Sequence, residues 1–347
     1  MAAQPDIRPT EASASARPVI ALAMGDPAGI SPELTARLLA SDEIRAAARF
    51  VVFGDRRILD AGARTAGVAL DLEVTTEEKT PGDRPVLVDL GHLDPAEVAP
   101  REATLAGGKF ASENFRRALE LAASGEAGAV CFTPFNKQAM RYAYPGYDDE
   151  IRFVSDVLGW SGAAREFNIL DTIWNARVTS HIPLSAVAAA ITADGIRAEL
   201  ALTAGCLRDA GIDRPRIAVA GLNPHAGDGG NFGREEIEVI GPAVQAAAAD
   251  GLDVVGPYPA DTVFLRAPKE GCHAVLTMYH DQGQIAMKLM GFDRGVTMLG
   301  GFPFPICTPA HGTAYDIAGK GIADIGASRA AVLLAVRMAA RRHAPPG

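Results

Sequence analysis

Short runs rich in β-branched and apolar residues alternate along this chain with longer segments whose apolar residues recur every three or four positions. "RPVIALAM", "ARFVVFG", "RPVLVDL", "AGAVCFT", "RIAVAGL", "HAVLTMY" and "RGVTML" read as strands. "SPELTARLLAS", "SENFRRALELAAS", "LSAVAAAITADGIRAELALTAGCLRDAG" and "REEIEVIGPAVQAAAADG" read as helices, the third as one long segment. Few folds accommodate that order. It predicts an α/β protein with a largely parallel sheet. Ligands of such sheets collect where strands end. The loops placed there are "GDPAGISPE", "TPFNK", "SHIP", "NPHAGDGG" and "YHDQG".

A chain of 347 residues is long for one core and predicts two domains. The Gly- and Pro-bearing stretch around 133–147 and the turn around 291–303 are the expected crossings between them. Residues 1–17 are polar, lack an apolar centre, and read as a flexible tail rather than a signal peptide. No run approaches the roughly 18 to 20 apolar residues of a membrane helix. Cys131, Cys206, Cys272 and Cys307 lack C-x-x-C spacing, so neither a disulfide framework nor a cysteine metal site is expected, and a reducing cytoplasm is. With net charge −9 and no basic cluster interleaved with aromatics, nucleic acid is not an expected partner.

His181, His225 and His280 each follow a predicted strand, in "TSHIP", "NPHAG" and "YHDQG". Three neutral imidazoles from strand ends can hold a divalent metal and leave positions open for water or substrate. Their spacing carries no local metal signature, so the alternative, imidazoles bonded to loop backbone, stays open. Asp281 and Asp261 can orient a ligand imidazole or move a proton. Lys288, in "GQIAMKLMG", can hold an anionic substrate or relay a proton, or else lie along the surface. No G-x-G-x-x-G follows a strand, and no P-loop occurs. "PAHGTAYDIAGKGIADIG" instead offers small residues at Gly312, Ala314, Ala318, Gly319 and Gly321 for a flat ligand, with His311 and Asp316 for an adenine and a ribose hydroxyl.

Together, "MGDPAGISPE", "NPHAGDGGNFGREE", "MYHDQG" and "HGTAYDIAGKGIAD" make the chain resemble the 4-hydroxythreonine-4-phosphate dehydrogenase family, the PdxA family of vitamin B6 biosynthesis, from about residue 18 to 345. The last motif also resembles the adenosine loop of isocitrate and isopropylmalate dehydrogenases. The resemblance implies two α/β/α domains around a central cleft, and a homodimer sharing its active sites. The nucleotide-side domain would be 18–135 plus 300–347, and the metal, substrate and dimerisation domain 136–299. It further implies oxidation by NAD or NADP of an alcohol β to a carboxylate, followed by loss of carbon dioxide. His181, His225 and His280 become metal ligands, one of them from the neighbouring subunit. Lys288, Asp261 and Asp281 become catalytic; Lys288, Thr297, Asn136, Lys137 and Asp26 substrate-binding; His311, Gly312, Thr313, Ala314, Asp316 and Gly319 cofactor-binding. Asp316 favours NAD, since it would repel a 2′-phosphate. Three imidazoles suit zinc, nickel or cobalt, and substrate oxygens suit magnesium or manganese.

The resemblance fails in the substrate pocket. "TPFNKQAMRYAYPGYDDEIRF" contains no His-Thr pair, Thr297 stands where the family has asparagine, and Ile306 where it has arginine. Asp148 and Asp149 would repel a phosphate if they faced it. A paralogue is therefore expected, for a four-carbon sugar-acid phosphate or a carboxylated cis-dihydrodiol of the terephthalate type. From other classes, a His-metal hydrolase would need no nucleotide, and a non-catalytic binding relative would need neither nucleotide nor turnover.

Overall fold

The computed structural model describes residues 17–342. The expected tail lies outside the described residues except for Arg17, which donates to Arg45 O at 2.6 Å and Asp83 Oδ1 at 2.7 Å. His343 also lies outside them.

Twelve strands form one sheet: β1 (Val19–Ala23), β2 (Arg49–Gly54), β3 (Glu73–Thr75), β4 (Val86–Asp89), β5 (Ala129–Phe132), β6 (Arg165–Leu170), β7 (Ile173–Arg177), β8 (Arg216–Ala220), β9 (Asp253–Tyr258), β10 (Ala274–Thr277), β11 (Val296–Gly300) and β12 (Ile306–Pro309). Their spatial order is β3-β4-β2-β1-β5-β12-β11-β6-β7-β10-β8-β9. The two outer portions are parallel throughout, while β12 with β11, β11 with β6, and β6 with β7 pair antiparallel. That seam reverses the strand direction midway across the sheet.

Helices α1 (Ser31–Ala40), α2 (Asp42–Ala47), α3 (Arg56–Ala66), α4 (Leu105–Ala123), α5 (Lys137–Ala143), α6 (Glu150–Leu158), α7 (Leu184–Ala190), α8 (Ala193–Asp209), α9 (Gly241–Ala249), α10 (Ala260–Arg266), α11 (His280–Gly291) and α12 (Gly326–Arg342) complete the chain. Ile20, Leu22 and Met24 pack on one side with residues of α1, α3 and α12; Val19, Ala21 and Ala23 pack on the other with residues of α4. Burial on both faces explains why such strands read as unbroken apolar runs.

The long helix expected from Leu184 onward is two. Thr192 takes an extended conformation and its Oγ1 accepts from Gly195 N at 3.1 Å, so a cap restarts the helix where apolar periodicity continues.

On α8, Glu199 is 3% exposed, accepts from Arg165 Nε at 2.9 Å, and leaves Oε1 buried without a partner. Burial pushes its pKa up to about 7 against the pull of Arg165. Because the folded value exceeds the unfolded one near 4.5, the stability this group contributes is complete below that lower value and is lost as pH climbs through about 7. The difference corresponds to roughly 3 kcal/mol. Glu199→Gln is therefore expected to leave the melting temperature nearly unchanged at acidic pH and raise it by about 3–6 °C at mildly alkaline pH, followed by calorimetry at both.

Candidate active site

A cavity of about 300 Å³ opens at the antiparallel seam. The ends of β5 and β12, the faces of β6 and β11, and the segments after β7 and β10 wall it, so the reversal of strand direction creates the recess. Among the residues lining it are His181, His280, Lys137, Lys288, Thr297, His311 and Gly312, all anticipated as site residues.

His181 lies in the turn after β7, and His280 opens α11 after β10; β7 and β10 are adjacent parallel strands. Their ring centroids are 5.6 Å apart. Asp281 Oδ1 stands 2.7 Å from His280 Nδ1, and Asp149 Oδ2 stands 3.7 Å from His181 Nδ1. The Asp281 carboxylate on His280 Nδ1 favours the tautomer that leaves that ring's Nε2 free as a metal donor, while Asp149 lies beyond hydrogen-bond distance of His181. The pair therefore fits a divalent ion as two of its ligands. His225 does not line this cavity, and the described residues contain no group of three His, Cys, Asp or Glu able to hold a metal. One chain brings together two of the three expected imidazoles.

His225 has a different setting. Residues 225 to 229 have φ of 54°, 52°, 83°, 45° and 66°, a turn of left-handed backbone that costs non-glycine residues roughly 1–2 kcal/mol each. Glu236 holds it: Oε1 accepts from Leu222 N and Asn223 N, both at 2.7 Å, and Oε2 from Asn223 Nδ2 at 2.9 Å. A Cβ on Gly227 would come within 2.7 Å of Glu236 Oε2, so here the glycine is required by both conformation and space. The loop displays His225 at the surface beside Phe232, ring centroids 6.1 Å apart.

The opposite wall contains groups that sequence reasoning missed. Glu150, Glu166, Asn168 and Gln284 line the cavity. Arg177, 3% exposed, donates to Glu166 Oε1 at 2.6 Å, Asn168 Oδ1 at 2.5 Å and Ser180 Oγ at 3.1 Å. Gln284 Nε2 donates to the same Asn168 Oδ1 at 2.8 Å. Burial alone would raise the Glu166 carboxyl, but Arg177 outweighs it and holds the group below the usual range. Burial raises Glu150 against the pull of Lys137 and Tyr147. The acids expected to confront a phosphate are placed otherwise: Asp148 pairs with Arg152 Nη1 at 2.9 Å, and Asp149 caps α6 by accepting from Arg152 N at 3.1 Å.

Of the glycine-rich loop, His311 and Gly312 edge this cavity, while Gly319 edges a second one of about 280 Å³ with Gly29, Pro32 and Ile58. Thr313 is buried and its carbonyl accepts from Ile30 N at 3.0 Å; Ala314 is left-handed with φ 44°; Asp316 is exposed. Besides Asp281, which backs His280 from outside the lining, three expected substrate or catalytic residues do not line the main cavity. Asp26 is buried, accepting from Ala28 N at 2.9 Å and Tyr315 Oη at 2.5 Å; burial raises its pKa. Asn136 caps α5 through Gln138 N and Ala139 N, and hydrogen-bonds the Tyr315 hydroxyl. Asp261, in the first turn of α10, is exposed. Asp26 and Asn136 thus tie the glycine-rich loop to the start of α5, where Lys137 lies.

The model of the family described as pyridoxal phosphate biosynthetic protein PdxA matches residues 46–335. The chain belongs to the PdxA family. A Rhizobium meliloti protein provisionally named 4-hydroxythreonine-4-phosphate dehydrogenase 2 is 69% identical to it over 94% of this chain and 95% of its own length. A 4-hydroxythreonine-4-phosphate dehydrogenase of Paracoccus denitrificans is 38% identical, over 94% and 99%. Among solved structures, the 4-hydroxythreonine-4-phosphate dehydrogenase of Klebsiella pneumoniae is 33% identical with TM-score 0.79, covering 93% of this chain and 98% of that one. A terephthalate 1,2-cis-dihydrodiol dehydrogenase from Burkholderia xenovorans is 28% identical with TM-score 0.64, covering 92% and 98%. Membership of the PdxA family makes the chain an oxidoreductase acting on an alcohol carbon and implies a nicotinamide cofactor. No helix among the described residues is long and apolar enough to cross a membrane.

Proposed function

We propose that the chain is a metal-dependent, NAD-linked dehydrogenase that oxidises an alcohol β to a carboxylate in a small hydroxy acid, with decarboxylation. The observation that carries this reading is one cavity lined by a carboxylate-backed pair of imidazoles, a lysine on α11 and the start of the glycine-rich loop. When bound, the divalent ion supplies Lewis-acid polarisation of the substrate's oxygens and the nicotinamide supplies the hydride acceptor. His181 and His280 would hold the ion, with Asp281 fixing the His280 ring. Lys288 would bind the substrate carboxylate and return a proton to the carbon left by carbon dioxide. Thr297 would position the substrate from β11. The loop from His311 to Gly319 would hold NAD, with exposed Asp316 disfavouring a 2′-phosphate.

A second copy of the chain supplies what one lacks. Ile182, Leu184, Ile285 and Leu289 are apolar and exposed next to His181 and along α11, Leu289 at 85%. An apolar surface beside an incomplete imidazole set supports a homodimer in which the partner brings the third imidazole. Four free, buried cysteines suit a reducing cytoplasm.

The test is a thermal-shift series with NADH absorbance. NAD and a divalent ion are each expected to raise the melting temperature, and a chelator to abolish NADH formation from hydroxy acids. Stabilisation by metal alone, without effect of NAD, would overturn the reading in favour of a hydrolase.

A further inference from the structure

At the β6 end of the cavity, Glu150, Glu166 and Lys137 line one wall; the Glu166 charge raises the pKa of Glu150, and the Lys137 charge pulls both carboxyls down. The charge of Lys137 is thus already felt by two acids on that wall. The other strong cation nearby is committed as well: Arg177 divides its guanidinium among Glu166, Asn168 and Ser180, and is almost wholly buried behind them. The hydrogen bonds to Glu166 fall on Oε1, from Arg177 and Asn168. That arrangement pins the carboxylate on the cavity wall, so it cannot swing aside to admit another anion. Among the described residues lining the cavity none is an arginine, the side chain best suited to a phosphate. The position occupied by Ile306 contributes no polarity, since its side chain is fully buried in the sheet core.

Carboxylates held in this way select hydrogen-bond donors and reject dianions. We propose that the substrate is an unphosphorylated polyhydroxy carboxylic acid, its carboxylate end toward Lys288 and the imidazole pair, its distal hydroxyls donating to Glu150 and Glu166. This rests on the dehydrogenase reading above and specifies the substrate class of the same site. Gln284 and Asn168, joined to Arg177 in one network, keep the accepting carboxylates in register.

The experiment measures NADH formation by the full-length protein, with NAD and divalent metal, from short polyhydroxy acids supplied both as free acids and as terminal phosphates. The free acid is expected to be preferred by about 100-fold or more in kcat/KM, with inorganic phosphate not competing. Glu166→Gln and Glu150→Gln, which preserve shape, are expected to raise KM for the free acid roughly tenfold with a smaller change in kcat, and to narrow the preference. Turnover of phosphorylated acids alone, or competition by inorganic phosphate, overturns the proposal and leaves the dehydrogenase reading standing. NADH from neither series overturns both. Unchanged discrimination in both glutamine variants overturns the assignment to these two carboxylates, while the wild-type comparison stands even if a variant misfolds.

Discussion

Alanine in place of His280 is expected to lower kcat/KM by about a thousandfold or more, with little loss of stability. The ring is partly exposed at the start of α11, so its removal leaves no buried void, whereas a divalent ion held as proposed would lose one of the two imidazoles this chain sets side by side. Losing a metal ligand removes several kcal/mol of charge stabilisation in the transition state. Asp281→Asn gives the internal comparison. It keeps a side chain against Nδ1 but removes the charge that orients the ring, and a loss of about 10- to 100-fold is expected. Steady-state NADH formation across a titration of metal checks both. A His280→Ala enzyme within tenfold of wild type would remove the metal from the mechanism.

Gly283→Ala is expected to cost about 3 kcal/mol of stability and roughly a hundredfold in kcat/KM. Gly283 is buried on α11, and a methyl there would overlap the Asn175 side-chain amide. Asn175 cannot yield, because its Nδ2 donates to Ala176 O, Val275 O and Thr277 Oγ1 inside the sheet. The helix must move instead, and with it His280 and Lys288. Gly205→Ala on α8, where the methyl would enter open space, is the control; it should raise stability by about 0.5–1 kcal/mol through helix propensity. Urea midpoints of the two variants test the contrast.

How far these features were legible depends on whether their signal was local. The strand ends carrying His181 and His280, the lysine on α11 and the start of the glycine-rich loop were all readable from short motifs. Glu166 and Asn168 were not. They sit on β6, "REFNIL", where polar residues facing the cavity alternate with Phe167 and Ile169 in the core. Such a strand has a loop-like composition, and only its antiparallel pairing with β11 and β7 shows what the polar face lines. The setting of Asp26 was illegible for a related reason. A carboxylate in a glycine loop has the same one-dimensional appearance whether it meets a ligand or, as here, a tyrosine from the far end of the chain. Glu236 likewise left no signature, since a carboxylate cradling a left-handed turn resembles any surface glutamate in a helical run.

The spatial order of the sheet also governs how the protein must be made. β5 is flanked by β1 and by β12, and Thr308 Oγ1 reaches back 176 residues to the carbonyl of Phe132. A nascent chain emerging from the ribosome can lay down β1, β2, β4 and β5 early, yet the slot beside β5 stays vacant until β12 has been made. During that interval its unpaired amides and carbonyls are open to any other extended segment, so slow assembly follows from the topology rather than from any single residue.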